Sequence, residues 1–298
     1  MVVLLAGGTG GAKLARGLLD VVGEELTVIA NTGDDIEIYG THVSPDPDLV
    51  TFWLADLIDE RGWGLAGDTF HVMDGLRELG DDVWFNLGDR DLAFCVRRAR
   101  RLAEGARLTE AIDEQRRALG VAARVLPMCD EPIRTRVRND AGWHGFQEFM
   151  IRERAAGPVL DVRLDGIEHA RLTPEVESAI AEARAVIIGP SNPVISIGPI
   201  LAVPGLRDAL AGTTVVAVSP LVHGAVLKGP TEAFMRWAGF DATTEAIAAC
   251  YAGLIDGLVA DARAASIPTL MTDVEMADAA ARRRVAEETL AFATALTP

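Results

Sequence analysis

Gly7-Gly8-Thr9-Gly10-Gly11-Ala12-Lys13 is the stretch whose residue types and spacing suit an anion. It follows the apolar run Val2 to Leu5 and precedes Leu14, Leu18 and Val22, which share one face at helical spacing. Such a run reads as a strand buried on both faces. Strand, glycine turn and helix point backbone N–H groups and a helix N-terminus at a negative group. Glycine fits because a Cβ would hold a phosphate away from the backbone, and Lys13 adds a cation in the early helix. Neither common nucleotide motif is matched. Lys13 stands where a dinucleotide fingerprint has its third glycine, and Gly11-Ala12-Lys13-Leu14 is not the Gly-Lys-Ser/Thr end of a Walker loop. A tight turn without a ligand is the plainer reading.

Carboxylates supply the second group. Leu26 to Ala30 reads as another buried strand and ends in Asn31-Thr32-Gly33-Asp34-Asp35. In open α/β sheets, ligands bind beyond the C-terminal ends of strands, so Asp34 and Asp35 lie where a cation or a substrate hydroxyl is met. Gly-Asp is also an ordinary turn pair. Ser44-Pro45-Asp46-Pro47-Asp48 opens a helical stretch over Leu49 to Ile58. Asp46 or Asp48 either caps that helix or joins Asp34 around a hard cation such as Mg²⁺, and spacing alone does not separate the two.

The elements that position these groups alternate. Val83 to Asn86 reads as a third strand running into Leu87-Gly88-Asp89-Arg90-Asp91, where Arg90 is either paired with its flanking acids or offered to a phosphate. Residues 92 to 170 break the alternation with helices and a hairpin over 133–138 and 146–151 about Asn139-Asp140-Ala141-Gly142, and a further strand is expected at 159–164. That range reads as an inserted subdomain within a single domain of residues 1–298. Thr173 as N-cap and Pro174 at the first helical position start a helix. Strands are expected at 185–188, 215–218, 257–260 and 269–271, with a closing helix over 274–293. Ser191 and Asn192, in Gly189-Pro190-Ser191-Asn192-Pro193, are candidate donors to a phosphate or base. Strand ends rich in Gly, Asp, Ser and Asn make this a Rossmann-like, doubly wound, mostly parallel α/β sheet with a polar crevice.

Composition narrows the classes. The 298 residues are 49% hydrophobic with a net charge of −16, which argues against binding of nucleic acid or an anionic membrane. Cys95, Cys129 and Cys250 are widely spaced, without metal-type or disulfide-framework spacing. No segment reaches the roughly 20 apolar residues of a membrane span, and the first residues lack the features of a signal peptide. A cytoplasmic protein is the expectation.

The motifs together resemble one family: the glycine stretch, Asn31 to Asp35, Ser44-Pro45-Asp46, Arg61-Gly62-Trp63-Gly64, Asn86 to Ala93, Leu126-Pro127-Met128, Phe146-Gln147-Glu148, Gly189 to Pro193, Ser196 to Leu201 and Lys228-Gly229-Pro230. In this order they resemble the CofD-type 2-phospho-L-lactate transferases, called FbiA in actinobacteria. The resemblance implies a Mg²⁺-dependent enzyme of coenzyme F-420 biosynthesis, usually a dimer. It would move a phospho-three-carbon acid from a guanosine diphosphate-activated donor to the ribityl hydroxyl of the deazaflavin FO and release GMP. On that reading Gly8, Thr9, Gly10, Gly11 and Lys13 take the pyrophosphate, with Ser191 and Asn192 on the nucleotide. Asp34 and Asp48 hold Mg²⁺, ahead of Asp35 and Asp46. Asp34, Asp35 and Arg90 serve catalysis, and FO lies near Trp63, Asn86, Gly88 and Asp89. The alternative is a YvcK-like nucleotide-sugar-binding regulator without catalysis. The motifs at 61–64 and 86–91 favour the transferase branch, and the missing third glycine disfavours a nicotinamide-dependent dehydrogenase.

Overall fold

The apolar run Val2 to Leu5 lies in β1 (Val2–Ala6), buried along its whole length. In the computed structural model, which describes residues 1–226 and 229–297, the chain continues through α1 (Gly8–Val22), β2 (Leu26–Ala30) and a hairpin of β3 (Ile36–Ile38) and β4 (Thr41–Val43). Helices α2 (Pro45–Leu54), α3 (His71–Glu78), α4 (Asp89–Ala103) and α5 (Leu108–Ala118) lead to β5 (Arg124–Pro127). Next come β6 (Arg134–Asn139), β7 (Gly142–Gly145), a π-helical turn at Glu148–Arg152, and β8 (Asp161–Asp165). The second half runs α6 (Pro174–Ala181), β9 (Ala185–Ile188), α7 (Gly198–Ala202), α8 (Leu206–Ala209), β10 (Val215–Val218), β11 (Leu221–Val222), β12 (Ala225–Val226), α9 (Thr231–Trp237), α10 (Thr244–Cys250), β13 (Gly257–Ala260), β14 (Thr269–Met271) and α11 (Ala279–Leu296). Lys228 of the Lys228-Gly229-Pro230 motif lies outside the described residues.

Seven strands form one sheet in the order β14-β13-β10-β9-β1-β2-β5, each neighbouring pair parallel. Successive side chains in a strand point to opposite faces, and β1 shows the consequence. Val2 and Leu4 pack with Leu14 and Leu18 of α1, Val50 of α2, Ile112 of α5 and Val285 of α11. Val3 and Leu5 join Val176 and Ile180 of α6, Ile200 of α7 and Ile247 of α10. Helices on both faces are what an all-parallel sheet requires. The sheet is therefore Rossmann-like and doubly wound. Its winding reverses between β1 and β9, where the loops after the two strands part and leave a crevice.

Four expectations are corrected. Val83 to Asn86 is not a strand: the position beside β2 is taken by β5, with Leu126 and Pro127 opposite Ile29 and Ala30. Val83 and Phe85 pack instead in a small cluster with Met73, Leu87 and Cys95. Residues 92–170 are not one insertion, because β5 within them belongs to the main sheet; the separate three-stranded sheet β7-β6-β8 begins only at Arg134. Residues 146–151 are not the return strand of the hairpin, which is β7, pairing Asn139 with Gly142 across the expected turn. The closing helix begins at Ala279 with Asp278 as its N-cap, leaving 274–277 outside helix and strand.

Candidate active site

At the reversal point of the sheet a cavity of about 400 Å³ opens. Gly7, Gly8, Thr9, Gly10 and Lys13 form one side and Pro190, Ser191, Asn192 and Ser196 another. Asp34 and Asp46 lie at the β2 end, Phe146, Gln147 and Met150 come from the β6–β8 lobe, and Val274, Glu275, Met276 and Ala277 close the far wall. The two expected nucleotide loops thus face one space.

Packing and ligand access divide the glycines. A Cβ on Gly10 would come 2.1 Å from the Pro190 carbonyl oxygen, and one on Gly11 would come 2.8 Å from Ser191 Oγ and from Ala6 Cβ. These two positions are small because α1 abuts the 190–191 loop, which corrects the expectation that a phosphate sets the requirement at Gly10. Gly8 is different. Its φ is +63°, and among the described residues nothing lies within 4 Å of the place a Cβ would take. Its N–H donates to Asp46 Oδ1 at 2.7 Å. The N–H groups of the rest of the first turn have no partner within a helix, and Thr9 and Gly10 of that turn both line the cavity. Lys13 Nζ donates to the Met276 carbonyl at 3.1 Å, tying α1 to the far wall. Gly7 N–H donates to Ser191 Oγ at 3.3 Å. Asn192 Oδ1 accepts from the N–H groups of Val194 and Ile195, holding the loop after β9 in shape.

The acids sort in the same way. Asp34 and Asp46 are buried and both line the cavity. Burial, then the charge of Asp46, holds the Asp34 carboxyl well above the usual carboxylate range. Burial pushes Asp46 up to about 6 against the opposing pull of its bonds from Gly8 and Asn31. Asn31 Nδ2 donates to Asp46 Oδ2 at 3.0 Å, while Asn31 Oδ1 accepts from Gly33 N–H at 2.8 Å. One residue at the end of β2 therefore positions both acid-bearing loops, a role the sequence reading missed. Asp34 Oδ1 has no hydrogen-bond partner among the described residues. A pair of buried carboxylates facing the same space, with an orphaned oxygen and all-oxygen chemistry, fits a hard divalent cation that completes its shell with phosphate oxygens and water.

The other predicted residues lie outside this lining. Asp35 accepts from Ser44 Oγ and pairs with His42 Nε2, each at 2.8 Å, within the base of the β3–β4 hairpin. Asp48, expected as the second metal carboxylate, is instead ion-paired with fully buried Arg98 of α4. Arg98 also donates to the His42 carbonyl and to Gln115 Oε1, both at 3.0 Å. Asp46 takes the place beside Asp34 that was expected of Asp48, because two residues along the first turn of α2 point to different faces. Arg90 is exposed and donates to the Ala66 carbonyl at 3.1 Å. Asp89 accepts from Thr69 Oγ1 and from the N–H groups of His71 and Val72, capping α3. Asn86 Oδ1 accepts from Arg77, and Gly88 packs against Asp68. Trp63 is 57% exposed, with the Arg61 guanidinium carbon 5.4 Å from its ring centroid. Its loop reaches the site, since a Cβ at Gly62 would lie 3.7 Å from Thr9 Cγ2.

Two further wall segments carry functional potential. Gln147 Nε2 donates to the Asp34 carbonyl at 3.1 Å, joining the β6–β8 lobe to the acid pair. Phe146 lies 6.4 Å from Phe234 of α9 between ring centroids, giving this side of the cavity an apolar surface. Residues 274–277, expected within the closing helix, precede it, and Val274 and Met276 are buried and line the cavity.

Comparison with known proteins agrees with this architecture. The model of the 2-phospho-L-lactate transferase CofD family matches residues 2–291. The 2-phospho-L-lactate transferase of Methanothermobacter thermautotrophicus is 44% identical over 263 residues, covering 88% of this chain and 85% of that protein. The phosphoenolpyruvate transferase of Kitasatospora aureofaciens is 41% identical over 310 residues, covering 96% and 97%. A crystal structure of a UPF0052 family member from Bacillus halodurans superposes with a TM-score of 0.62 at 18% identity, covering 97% of this chain and 98% of that one, a likeness of fold. With the family match spanning nearly the whole sequence, the chain belongs to the CofD family of 2-phospho-L-lactate transferases.

Proposed function

We propose that this transferase moves a phospho-three-carbon acid, of the 2-phospho-L-lactate or phosphoenolpyruvate type, from a guanosine diphosphate-activated donor to the ribityl hydroxyl of FO. GMP is the leaving product. The observation that carries the reading is the joint placement, in one cavity at the sheet's reversal point, of the anion-facing turn of α1 and the Asp34–Asp46 pair. The donor is a doubly substituted pyrophosphate, and attack by a neutral hydroxyl asks chiefly for alignment and for neutralisation of phosphate charge. Thr9, Gly10 and Lys13 would bind the pyrophosphate. Asp34 and Asp46 would hold Mg²⁺, which when bound withdraws charge from the phosphate oxygens. Asn31 and Gln147 keep the two carboxylates facing the donor. The exposed Trp63, in the loop whose Gly62 approaches Thr9, would offer a flat apolar surface to the deazaflavin ring. Phe146 and Met150 would shield the reacting centre from water.

The free cysteines Cys95, Cys129 and Cys250 and a reaction among soluble metabolites suit a reducing cytoplasm. Among the described residues no helix is long and apolar enough to cross a membrane. The test is incubation with FO, Mg²⁺ and each guanylylated three-carbon acid, followed by mass spectrometry. An F-420-type product with equimolar GMP is expected from at least one donor. Absence of product from every donor would contradict the proposal.

A further inference from the structure

The acids of the 34–35 and 46–48 segments divide into a front pair and a back pair. Asp34 and Asp46 line the cavity. Asp35 and Asp48 are buried outside that lining, and their partners converge on Arg98. The Arg98 guanidinium, fully buried on α4, is ion-paired with Asp48 and donates through Nη1 to the His42 carbonyl at 3.0 Å. The His42 ring donates from Nε2 to Asp35 Oδ2, and Ser44 Oγ donates to Asp35 Oδ1, each at 2.8 Å. Gln115 of α5 accepts from Arg98 Nη2 at 3.0 Å and donates to the Phe94 carbonyl of α4 at 2.8 Å, which fixes the guanidinium between the two helices. One rigid planar fork thus reaches α2 through Asp48, next but one to Asp46, and reaches Asp35, next to Asp34, through His42.

We infer that Arg98 and His42 are positioning residues that set the separation of the Asp34 and Asp46 carboxylates, and that the stiffness of this frame makes the site prefer Mg²⁺ to Ca²⁺. The inference rests on the reading that those two carboxylates hold a divalent cation. Mg²⁺ demands near-ideal octahedral geometry with oxygens at about 2.0–2.1 Å, whereas Ca²⁺ accepts irregular shells at about 2.3–2.6 Å. Carboxylates held at one separation favour the small, exacting ion. Carboxylates free to drift favour the larger, more adaptable one.

Stability alone does not explain a charged network here, because a buried ion pair is often no more stabilising than apolar side chains of the same volume. What the network supplies is orientation. Each acid-bearing segment is held twice. Asn31 Nδ2 bonds Asp46 and Gln147 Nε2 bonds the Asp34 carbonyl on the cavity side, while Arg98 and His42 bond Asp48 and Asp35. The two segments are tied to each other through the Arg98–His42 contact. Groups that orient metal ligands in this way typically change metal affinity by about 10–100-fold when removed.

The experiment is calorimetric titration of the whole protein with Mg²⁺ and with Ca²⁺, with thermal melts alongside, for the parent, the double variant Arg98→Met with Asp48→Leu, His42→Ala and His42→Gln. The double variant exchanges the ion pair for apolar groups and should melt near the parent. Its Mg²⁺ affinity should fall about tenfold or more, while its Ca²⁺ affinity should stay within about threefold of the parent. His42→Ala cuts only the arm to Asp35 and should lower the ratio of Mg²⁺ to Ca²⁺ affinity by about tenfold. His42→Gln, whose amide can donate to Asp35, should recover most of that ratio, and this pair decides the matter if the double variant does not fold. Variants that all kept the parent's ratio would overturn the inference and leave the metal reading standing. Equal losses for both ions would also overturn it, since spacing would not be what was lost. A parent that bound neither ion would remove both readings.

Discussion

At the scale of the residue, Asp46 is where stability and metal binding oppose each other. Its folded-state pKa is raised by burial to about 6 from an ordinary value of 3.8. The folded state therefore holds a proton that the unfolded state has lost between those values, and stability falls as pH rises through that window. At pH 7 without metal, Asp46→Asn should raise stability by an amount on the order of 3 kcal/mol, from about two pKa units at 1.36 kcal/mol each. The same variant should lose about 10²-fold or more in turnover and lose the rise in melting temperature produced by Mg²⁺. In the parent that Mg²⁺-dependent rise should fade as pH drops below about 6, because protons compete for the carboxylate. Thermal melts with and without Mg²⁺ from pH 5 to pH 8 measure both effects. The glycines make a paired test. Gly10→Ala should lower stability by roughly 1–3 kcal/mol through overpacking against Pro190. Gly8→Ala should incur only the roughly 1–2 kcal/mol of a left-handed residue while weakening GDP binding more strongly than Gly10→Ala does relative to its stability loss. The sequence marked both glycines and could not divide them, because the division depends on a loop 180 residues away.

At the scale of the element, α2 is held from one face and functional on the other. Asp46 faces the cavity, and Asp48 is clamped by Arg98 of α4. Removing one partner of a buried ion pair leaves the other charge uncompensated, at about 3–5 kcal/mol, whereas replacing both by apolar groups is often neutral. Arg98→Met should therefore unfold at clearly lower denaturant, and Arg98→Met with Asp48→Leu should recover most of the loss in the same denaturation curves. Asp46 and Asp48 were equivalent by spacing. What separates them is Arg98, fifty residues on, whose burial nothing local announces, since it stands in a basic run with Arg97, Arg100 and Arg101. The false strand at Val83 to Asn86 has a similar cause. An apolar run has strand character in isolation, yet it becomes a strand only where a neighbour offers backbone, and β5 had already filled that place. Asp89 and Arg90 were drawn from the end of that strand, so they moved with it.

At the scale of the molecule, the alternation of apolar runs with helical segments was sufficient for the central sheet. β1, β2, β9, β10, β13 and β14 all lie where the runs placed them; the first five are buried on both faces and leave a continuous apolar signature, while β14 is a short, partly exposed edge strand. β5 was hidden, since Arg124-Val-Leu-Pro is short and mixed. The lobe of β6–β8 was recognised as a hairpin because its turn residues are local, while its contact with Asp34 through Gln147 was not. Exposed apolar side chains remain, among them Leu79, Met271 and Trp63. A homodimer, proposed from the resemblance, should give twice the 31.7 kDa chain mass in light scattering; a monomer at working concentration would contradict it. The central claim concerns location: the donor occupies the reversal point of the sheet. Hydrogen exchange with GDP and Mg²⁺, compared with the free protein, tests it most directly. The expected result is protection concentrated at residues 7–13, 33–35, 190–196 and 274–277, with no change at 86–91. Protection at 86–91 with none at 7–13 would contradict the account.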